Sequence, residues 1–527
     1  MIPSPNRQAI ARESRTPSVP GSLALILMLF VSAAPAKPRP QQSPPERKEV
    51  QASLRIADLK ARLKELERIK AAYPESGMMA SIDRNILAAK VELCETLDEV
   101  DVLQRPLLVL GAGFGRLENY YSACDRIFDH RNIDRFDKAR VAALVESYFD
   151  GYIKAAEDPA VLKDIPEDQR KYVASYTAEM SLFLVRAYLG TARVEKTKDV
   201  LESYKRAGGP IDAAFSYYQA ESLSLEGKSA AAYEYYFTAA VDNYRDSESK
   251  ARSLHQKLRG TMDGFDAALD AKRRELPFPV QPFSPASGWS GKAVLVELFT
   301  GSECPPCVGA DLGFDGLLEA FDRKYLVILE YHLPIPGPDP LMTPASKARQ
   351  EYYASRGTPT PFFDGEQKFG GGGPRAHAAA KYSEYRGEVE KRVMERPQVA
   401  LEVKAVRRGG VVAVSYSFDK VLPGSDYNAA LVEKEVRYKG GNGIVFHKMV
   451  VRDFLNLDPS TKPAELMIDL AKTEAASAKH LADYEKEMSF EFKEKKSSLD
   501  PANLAVIFFV QDRTTKKVAN AAFAQVR

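Results

Sequence analysis

The sequence predicts a multidomain protein with an all-α region, an α/β domain and a β-rich C-terminal domain. Three observations predict it. Apolar residues recur at helical spacing from Glu46 to about Arg274. Near residue 290 the pattern changes to a β-branched run that ends in Cys304-Pro-Pro-Cys307, and from Arg396 onward the period is two. The length agrees, because 527 residues exceed what one hydrophobic core organises. Leu276-Pro-Phe-Pro-Val-Gln-Pro-Phe-Ser-Pro285 is a stiff, extended stretch. It sets the expected boundaries: helical region 47–275, linker 276–290, α/β domain 291–395 and C-terminal domain 396–527.

The N-terminus carries Arg7, Arg12 and Arg15, then Leu23-Ala-Leu-Ile-Leu-Met-Leu-Phe-Val31, then Ser32-Ala-Ala-Pro-Ala36. The apolar core is too short to span a bilayer, which needs about twenty residues. A basic start, a short apolar core and an Ala-x-Ala end describe a secretory signal peptide over 1–36, followed by a Pro-rich linker over 37–46. Elsewhere no apolar run is long enough to cross a membrane. The expectation is an exported protein, periplasmic or extracellular, without stable membrane insertion. Lys plus Arg number 74 against 72 Asp plus Glu, a balance of +2, so no global field exists to attract nucleic acid.

In the helical region Leu59, Leu63, Leu66 and Ile69 share one face. Arg186–Leu201 can be laid over Glu221–Tyr236, so that Thr197 matches Ala232 at a period of about 35 residues. With Tyr217-Tyr218 before the turn and Ala231-Ala232-Tyr233…Ala239 after it, this resembles tetratricopeptide repeats, the alternative being a generic helical bundle. Stacked helix pairs of either kind give a concave face suited to a protein or peptide. Gly111-Ala-Gly-Phe-Gly115 is not a dinucleotide fingerprint: position 116 is Arg and no βαβ unit surrounds it. Cys94 and Cys124 lie in apolar helical contexts, either as a structural disulfide or as two buried thiols.

Ala293-Val-Leu-Val-Glu-Leu-Phe-Thr300 reads as a buried strand that delivers Cys304 and Cys307 to the start of a helix through Phe321. There the positive end of the helix dipole favours thiolate over thiol, and proline is tolerated in a first helical turn. No second pair of cysteines or histidines exists nearby to complete a zinc shell, so no metal and no cofactor beyond the disulfide itself is expected. A C-x-x-C ring makes a poor inert staple, which places thiol–disulfide exchange ahead of a structural role. Lys324–Tyr331 reads as a second strand and Ala345–Arg356 as a helix. Arg356-Gly-Thr-Pro-Thr-Pro-Phe-Phe-Asp-Gly365 then leads into a strand and a tight turn, Gly370–Gly373 is flexible, and Pro374–Met394 closes with a helix.

Cys304-Pro-Pro-Cys307 together with Gly357-Thr358-Pro359-Thr360 resembles the thioredoxin-like superfamily, in particular its exported TlpA and DsbA types, over about a fifth of the chain. The resemblance implies that Pro359 is a cis-proline facing the disulfide and that Thr358 offers backbone to a substrate cysteine. It implies that Cys304 attacks a partner disulfide and Cys307 resolves the mixed disulfide. The partners implied are protein clients bearing thiols or disulfides and an upstream thiol that supplies electrons. Two departures stand out: Glu303 replaces the usual aromatic residue before the first cysteine, and the loop from Glu297 to Cys304 is one residue longer. Glu297 is therefore either the buried acid that assists proton transfer or a surface carboxylate. His332, before the rigid loop Leu333–Pro340, either tunes the disulfide or is simply packed.

The two prolines remove backbone donors near Cys304, which implies a reductant closer to thioredoxin, about −270 mV, than to DsbA, about −120 mV. Beyond residue 396, Val399–Val406, Val411–Phe418, Tyr427–Val432, Ile444–Val451 and Leu504–Val510 read as strands and Glu465–Lys486 as a helix, giving a β-sandwich-like domain. His447 and His480 have no ligand-spaced partners there. The expectation is an exported thiol–disulfide oxidoreductase. Its alternative is a non-catalytic adaptor whose helical repeats do the binding and whose redox fold is vestigial.

Overall fold

The computed structural model describes residues 45–54, 56–285, 288–460 and 465–527. The expected signal peptide and most of the linker after it lie outside the described residues. From Pro45 to Arg274 the described chain is helical. Several helix starts carry side-chain caps: Thr96 and Glu99, for example, form a reciprocal capping box. Helices Val194–Arg206, Ala213–Leu225, Ser229–Val241 and Ser247–Arg259 follow one another through short turns and share one core. Thr197 and Ala232, matched by the repeat, are both fully buried. Small side chains at those positions let neighbouring helices approach closely. Cys94 and Cys124 belong to one core but are free and buried. The Cys94 Sγ donates to the Lys90 carbonyl of the helix that precedes it.

The second half is organised on a seven-stranded mixed sheet. Its strands are β1 (Val294–Thr300), β2 (Leu326–His332), β3 (Thr360–Phe363), β6 (Ser425–Arg437), β7 (Phe446–Leu457), β9 (Leu504–Asp512) and β10 (Val518–Gln525). They run in the order β10-β9-β6-β7-β2-β1-β3. β1 and β2 are parallel and buried along their whole length, as expected for continuous apolar runs covered on both faces. Helix Val308–Ala320 crosses between them, and β3 adds antiparallel to β1. At the end of β3, Asp364 (φ +45°) and Gly365 (φ +83°) make the expected Asp-Gly turn. The turn is held against the last strand, since Val518 N–H donates to the Asp364 carbonyl at 3.1 Å and Lys292 pairs with the Asp364 carboxylate at 3.2 Å.

The C-terminal strands differ from the expected free-standing sandwich. β7 pairs parallel to β2 at Glu330 and Val450, so β6, β7, β9 and β10 continue the sheet that β1–β3 begin. β2 is buried on both faces, so its second edge also has to be satisfied within the protein, and β7 does that. Only β4 (Leu401–Arg408), β5 (Val411–Phe418) and β8 (Glu465–Asp469) form a second sheet, stacked on the first through Val412, Val414, Leu431 and Val506. The helix expected over 465–486 spans Leu470–Met488, and its first residues form β8 instead. β10 escaped the periodicity because Val-Ala-Asn-Ala-Ala-Phe-Ala-Gln is poor in β-formers. Its Asn520 joins segments instead, accepting from Ala293 N–H at 3.0 Å and donating to the Val399 carbonyl at 2.9 Å. The proline-rich stretch 276–285 is pinned rather than free: Phe278 stacks on Tyr382 and Phe283 on Phe321.

Candidate active site

β1 ends at Thr300, and the turn Gly301-Ser302-Glu303 brings Cys304 to the helix start. Pro305-Pro306-Cys307 form a single 3₁₀ turn before helix Val308–Ala320. Cys304 and Cys307 are joined, with S–S 2.07 Å and Cα–Cα 5.3 Å. Thr358, 54 residues away in sequence, places its Oγ1 3.3 Å from Cys304 Sγ and donates to the Ile335 carbonyl at 3.0 Å. The Thr358–Pro359 peptide is cis, as is Ile335–Pro336 in the loop beside it. Four of the residues singled out from sequence thus converge on one point.

The backbone donors at this helix start are already engaged. Pro305 and Pro306 have none. Cys307 N–H donates to the Cys304 carbonyl at 3.0 Å, and Val308 N–H to that of Pro305. Gly309 N–H donates to the Gly373 carbonyl at 2.7 Å. At the helix end that would otherwise offer N–H groups to a sulfur anion, those of Cys307, Val308 and Gly309 are already taken.

Glu297 lies elsewhere. Along β1 side chains alternate, so Glu297 and Phe299 face one side of the sheet and Leu298 and Thr300 the other. The Glu297 carboxylate is fully buried and takes a bidentate pair from Arg349 (2.7 and 2.9 Å), with the hydroxyls of Tyr331 at 3.0 Å and Tyr353 at 2.5 Å. It is neither a surface carboxylate nor on the side of the helix that carries the cysteines. The acid on that side is Asp311, one helical turn after Cys307, which accepts from Thr300 Oγ1 at 2.7 Å. Burial pushes Asp311 up to about 7, against the opposing pull of the Thr300 hydrogen bond and His332. Asp315, a further turn on, is raised by burial to about 7, and burial holds Glu330 on β2 well above the carboxylate range. Acids recurring every four residues, Asp311, Asp315 and Glu319, on a helix otherwise rich in apolar residues were the signal that could have found this group.

His332 is packed, not exposed. Its Nδ1 pairs with Asp339 at 2.8 Å, and its ring lies edge-on to that of His447, 4.9 Å between centroids. Burial alone would raise Asp339, but His332 and the N–H groups of Ser302 and Leu341 outweigh it and hold the carboxyl low. Burial, with His332 adding to it, drives His447 down to about 3. Asp339 therefore fixes the Ser302 turn that leads to Cys304. No cluster of histidine, cysteine and carboxylate side chains among the described residues could hold a metal ion.

The disulfide is covered. Cys304 is 1% exposed and Cys307 fully buried. One cover is the loop Leu333–Pro340, which contacts Thr358. A second is Gly370–Gly373, where Gly373 N–H donates to the Pro306 carbonyl at 2.6 Å. A Cβ on Gly372 would lie 1.9 Å from that carbonyl and 2.7 Å from Pro359 Cγ, so only glycine fits. The third is Lys439–Gly443: Asn442 bonds the Ser302 carbonyl at 2.9 Å and that of Gly301 at 3.2 Å, and Gly441 N–H donates to Glu303 at 3.1 Å. Glu303, raised mainly by burial, thus anchors this loop. The chain matches no family model, no curated protein and no solved structure. What it contains is a helical region, a mixed sheet and a cysteine pair at C-P-P-C spacing.

Proposed function

We propose that the protein is an exported thiol–disulfide oxidoreductase with a thioredoxin-like centre, acting on cysteines of protein clients and serving as a reductant. The observation that carries this reading is the Thr358 hydroxyl 3.3 Å from Cys304 Sγ, which places a second chain segment beside the sulfur where a client backbone would lie. In the reduced protein, Cys304 thiolate attacks one sulfur of a client disulfide. The client S–S bond breaks, its other sulfur leaves as thiolate and takes up a proton, and a mixed disulfide forms. Cys307 passes its proton to Asp311 and attacks Cys304 Sγ; the Cys304–client bond breaks, the client's second sulfur leaves as thiolate and takes up a proton, and the Cys304–Cys307 bond closes. Two electrons reach the client, and an upstream thiol donor returns the pair to the reduced form. Resemblance of the helical region to tetratricopeptide repeats gives it the role of holding clients. The periplasm or extracellular space is the proposed location.

A second reading, the non-catalytic adaptor, draws support from the near-complete burial of Cys304. Insulin reduction with dithiothreitol separates the two. The oxidoreductase reading expects turnover by the wild type and none above background by Cys304→Ser, with a trapped mixed disulfide in Cys307→Ser. Equal activity in all three proteins removes it.

A further inference from the structure

Two of the three loops over the disulfide are held down by the helical region, and both are held at one turn. Asp242 and Asn243 follow helix Ser229–Val241, far from the cysteines in sequence. The Asp242 carboxylate accepts from Arg375 Nε, two residues beyond Gly373, and the pair is about four-fifths buried. Asn243 Nδ2 donates to the Gly443 carbonyl at 3.1 Å, and Arg273 orients that side chain by donating to Asn243 Oδ1 at 2.6 Å. Gly443, at φ +93°, sits so close to the Asp242 carbonyl that a Cβ there would lie 2.6 Å from it. Lys439, at the other end of that loop, pairs with Glu248 at 2.9 Å.

The rest of the joint combines exposed ion pairs with an incompletely packed gap. Arg274 pairs with Glu435 at 3.0 Å and Arg437 with Asp270 at 3.2 Å. Between the two halves lies a cavity of about 370 Å³, lined among others by Val241, Arg273, Arg274, Arg375 and Phe446. Three of its guanidinium groups already have carboxylate partners, so it is a gap in the joint rather than an anion site. An interface within one chain that is held by ion pairs around an unfilled gap permits relative motion by default.

We infer that the Asp242–Asn243 turn is a clasp: with the helical region docked, it holds the 370–375 and 439–443 segments over Cys304, and its release exposes the sulfur. The clasp gives the oxidoreductase reading a closed resting state and so rests on that reading. A client engaged by the helical region would open the joint at the moment its cysteine is needed.

Labelling of the reduced full-length protein tests this. Dithiothreitol-reduced, desalted samples are pulsed with iodoacetamide up to the alkaline plateau, where the thiolate fraction no longer enters the rate. Mass spectrometry then follows Cys304, with Cys124 as an internal reporter of helical-core opening. Asp242→Ala and Arg375→Gln are expected to speed Cys304 labelling roughly tenfold, which is about 1.4 kcal/mol in the open–closed balance, with Cys124 unchanged. Glu234→Ala, an exposed change on the same helix, leaves both rates alone. Should Asp242→Ala also speed Cys124, Arg375→Gln decides, since it alters no residue of the helical region. Cys304 rates equal to wild type in Arg375→Gln overturn the clasp. Fast labelling without insulin reduction would sink the oxidoreductase reading and leave the clasp standing.

Discussion

Thr300, the last residue of β1, donates its hydroxyl to Asp311, the first acid of the helix that begins at the cysteines, at 2.7 Å. The pair ties the sheet to the sulfur-bearing helix and sets a protonatable carboxyl one turn below Cys307. Because burial raises Asp311 to about 7, the carboxyl is poised to exchange a proton near neutral pH. Asp311→Asn is expected to slow client reduction by roughly hundredfold or more and to remove an inflection near pH 7 from the rate profile. Unchanged rates would assign Asp311 a purely structural role.

The same shift predicts a stability effect of defined sign. The folded state holds the Asp311 proton up to about pH 7, whereas the unfolded chain releases it near 4. Stability from this group is therefore full below about pH 4, is lost as pH rises through 7, and stays lost above it. Asp311→Asn keeps an acceptor for Thr300 and no longer ionises. It should raise stability at pH 8 by about 4 kcal/mol and change little at pH 4, as read by denaturant unfolding at the two pH values.

Glu297 and Arg349 form a buried bidentate pair with two tyrosine hydroxyls around the carboxylate. Glu297→Leu leaves the guanidinium uncompensated and should cost roughly 3–5 kcal/mol, while Glu297→Leu with Arg349→Met should recover most of it. If Glu297 served proton transfer instead, the double variant would regain stability and still reduce insulin slowly.

Much of this centre was legible because its signals are local. Cys304, Cys307, Thr358 and Pro359 lie in two short motifs, and the strands that carry them are continuous apolar runs. What was not legible depends on tertiary register. Glu297 and Thr300 sit three residues apart on one strand, so they face opposite sides of the sheet, and sequence alone does not say which side the cysteine helix covers. Nor does period-two alternation say that β7 completes the edge of β2, because a strand's pattern reports its faces and not its neighbours. Gly372 and Asn442 look like ordinary loop residues until the chain brings them against Pro306 and Ser302.

Gly365 tests how firmly the turn after β3 is fixed. At φ +83°, a Cβ there would lie 1.8 Å from the Lys516 carbonyl. Gly365→Ala should therefore lower stability by roughly 2 kcal/mol or more. A melting temperature within a degree of wild type would mean that the turn and the last hairpin do not meet in solution.

The reduction potential follows from the donors around Cys304. Thiolate stabilisation comes from N–H groups at the helix start, and here Pro305 and Pro306 supply none while Cys307, Val308 and Gly309 donate to carbonyls. A reduced form so little stabilised would give up electrons readily, and the expected couple lies near thioredoxin, about −270 mV, rather than near DsbA, about −120 mV. Pro306→Ala returns one donor to the turn. A hydrogen bond to a charged group contributes about 1.5–3 kcal/mol, so the potential should rise by roughly 30–60 mV. Equilibration of both proteins against glutathione buffers measures this directly. A wild-type value near the DsbA end, or no rise in Pro306→Ala, would show that the thiolate draws its stabilisation from groups other than the backbone of this turn.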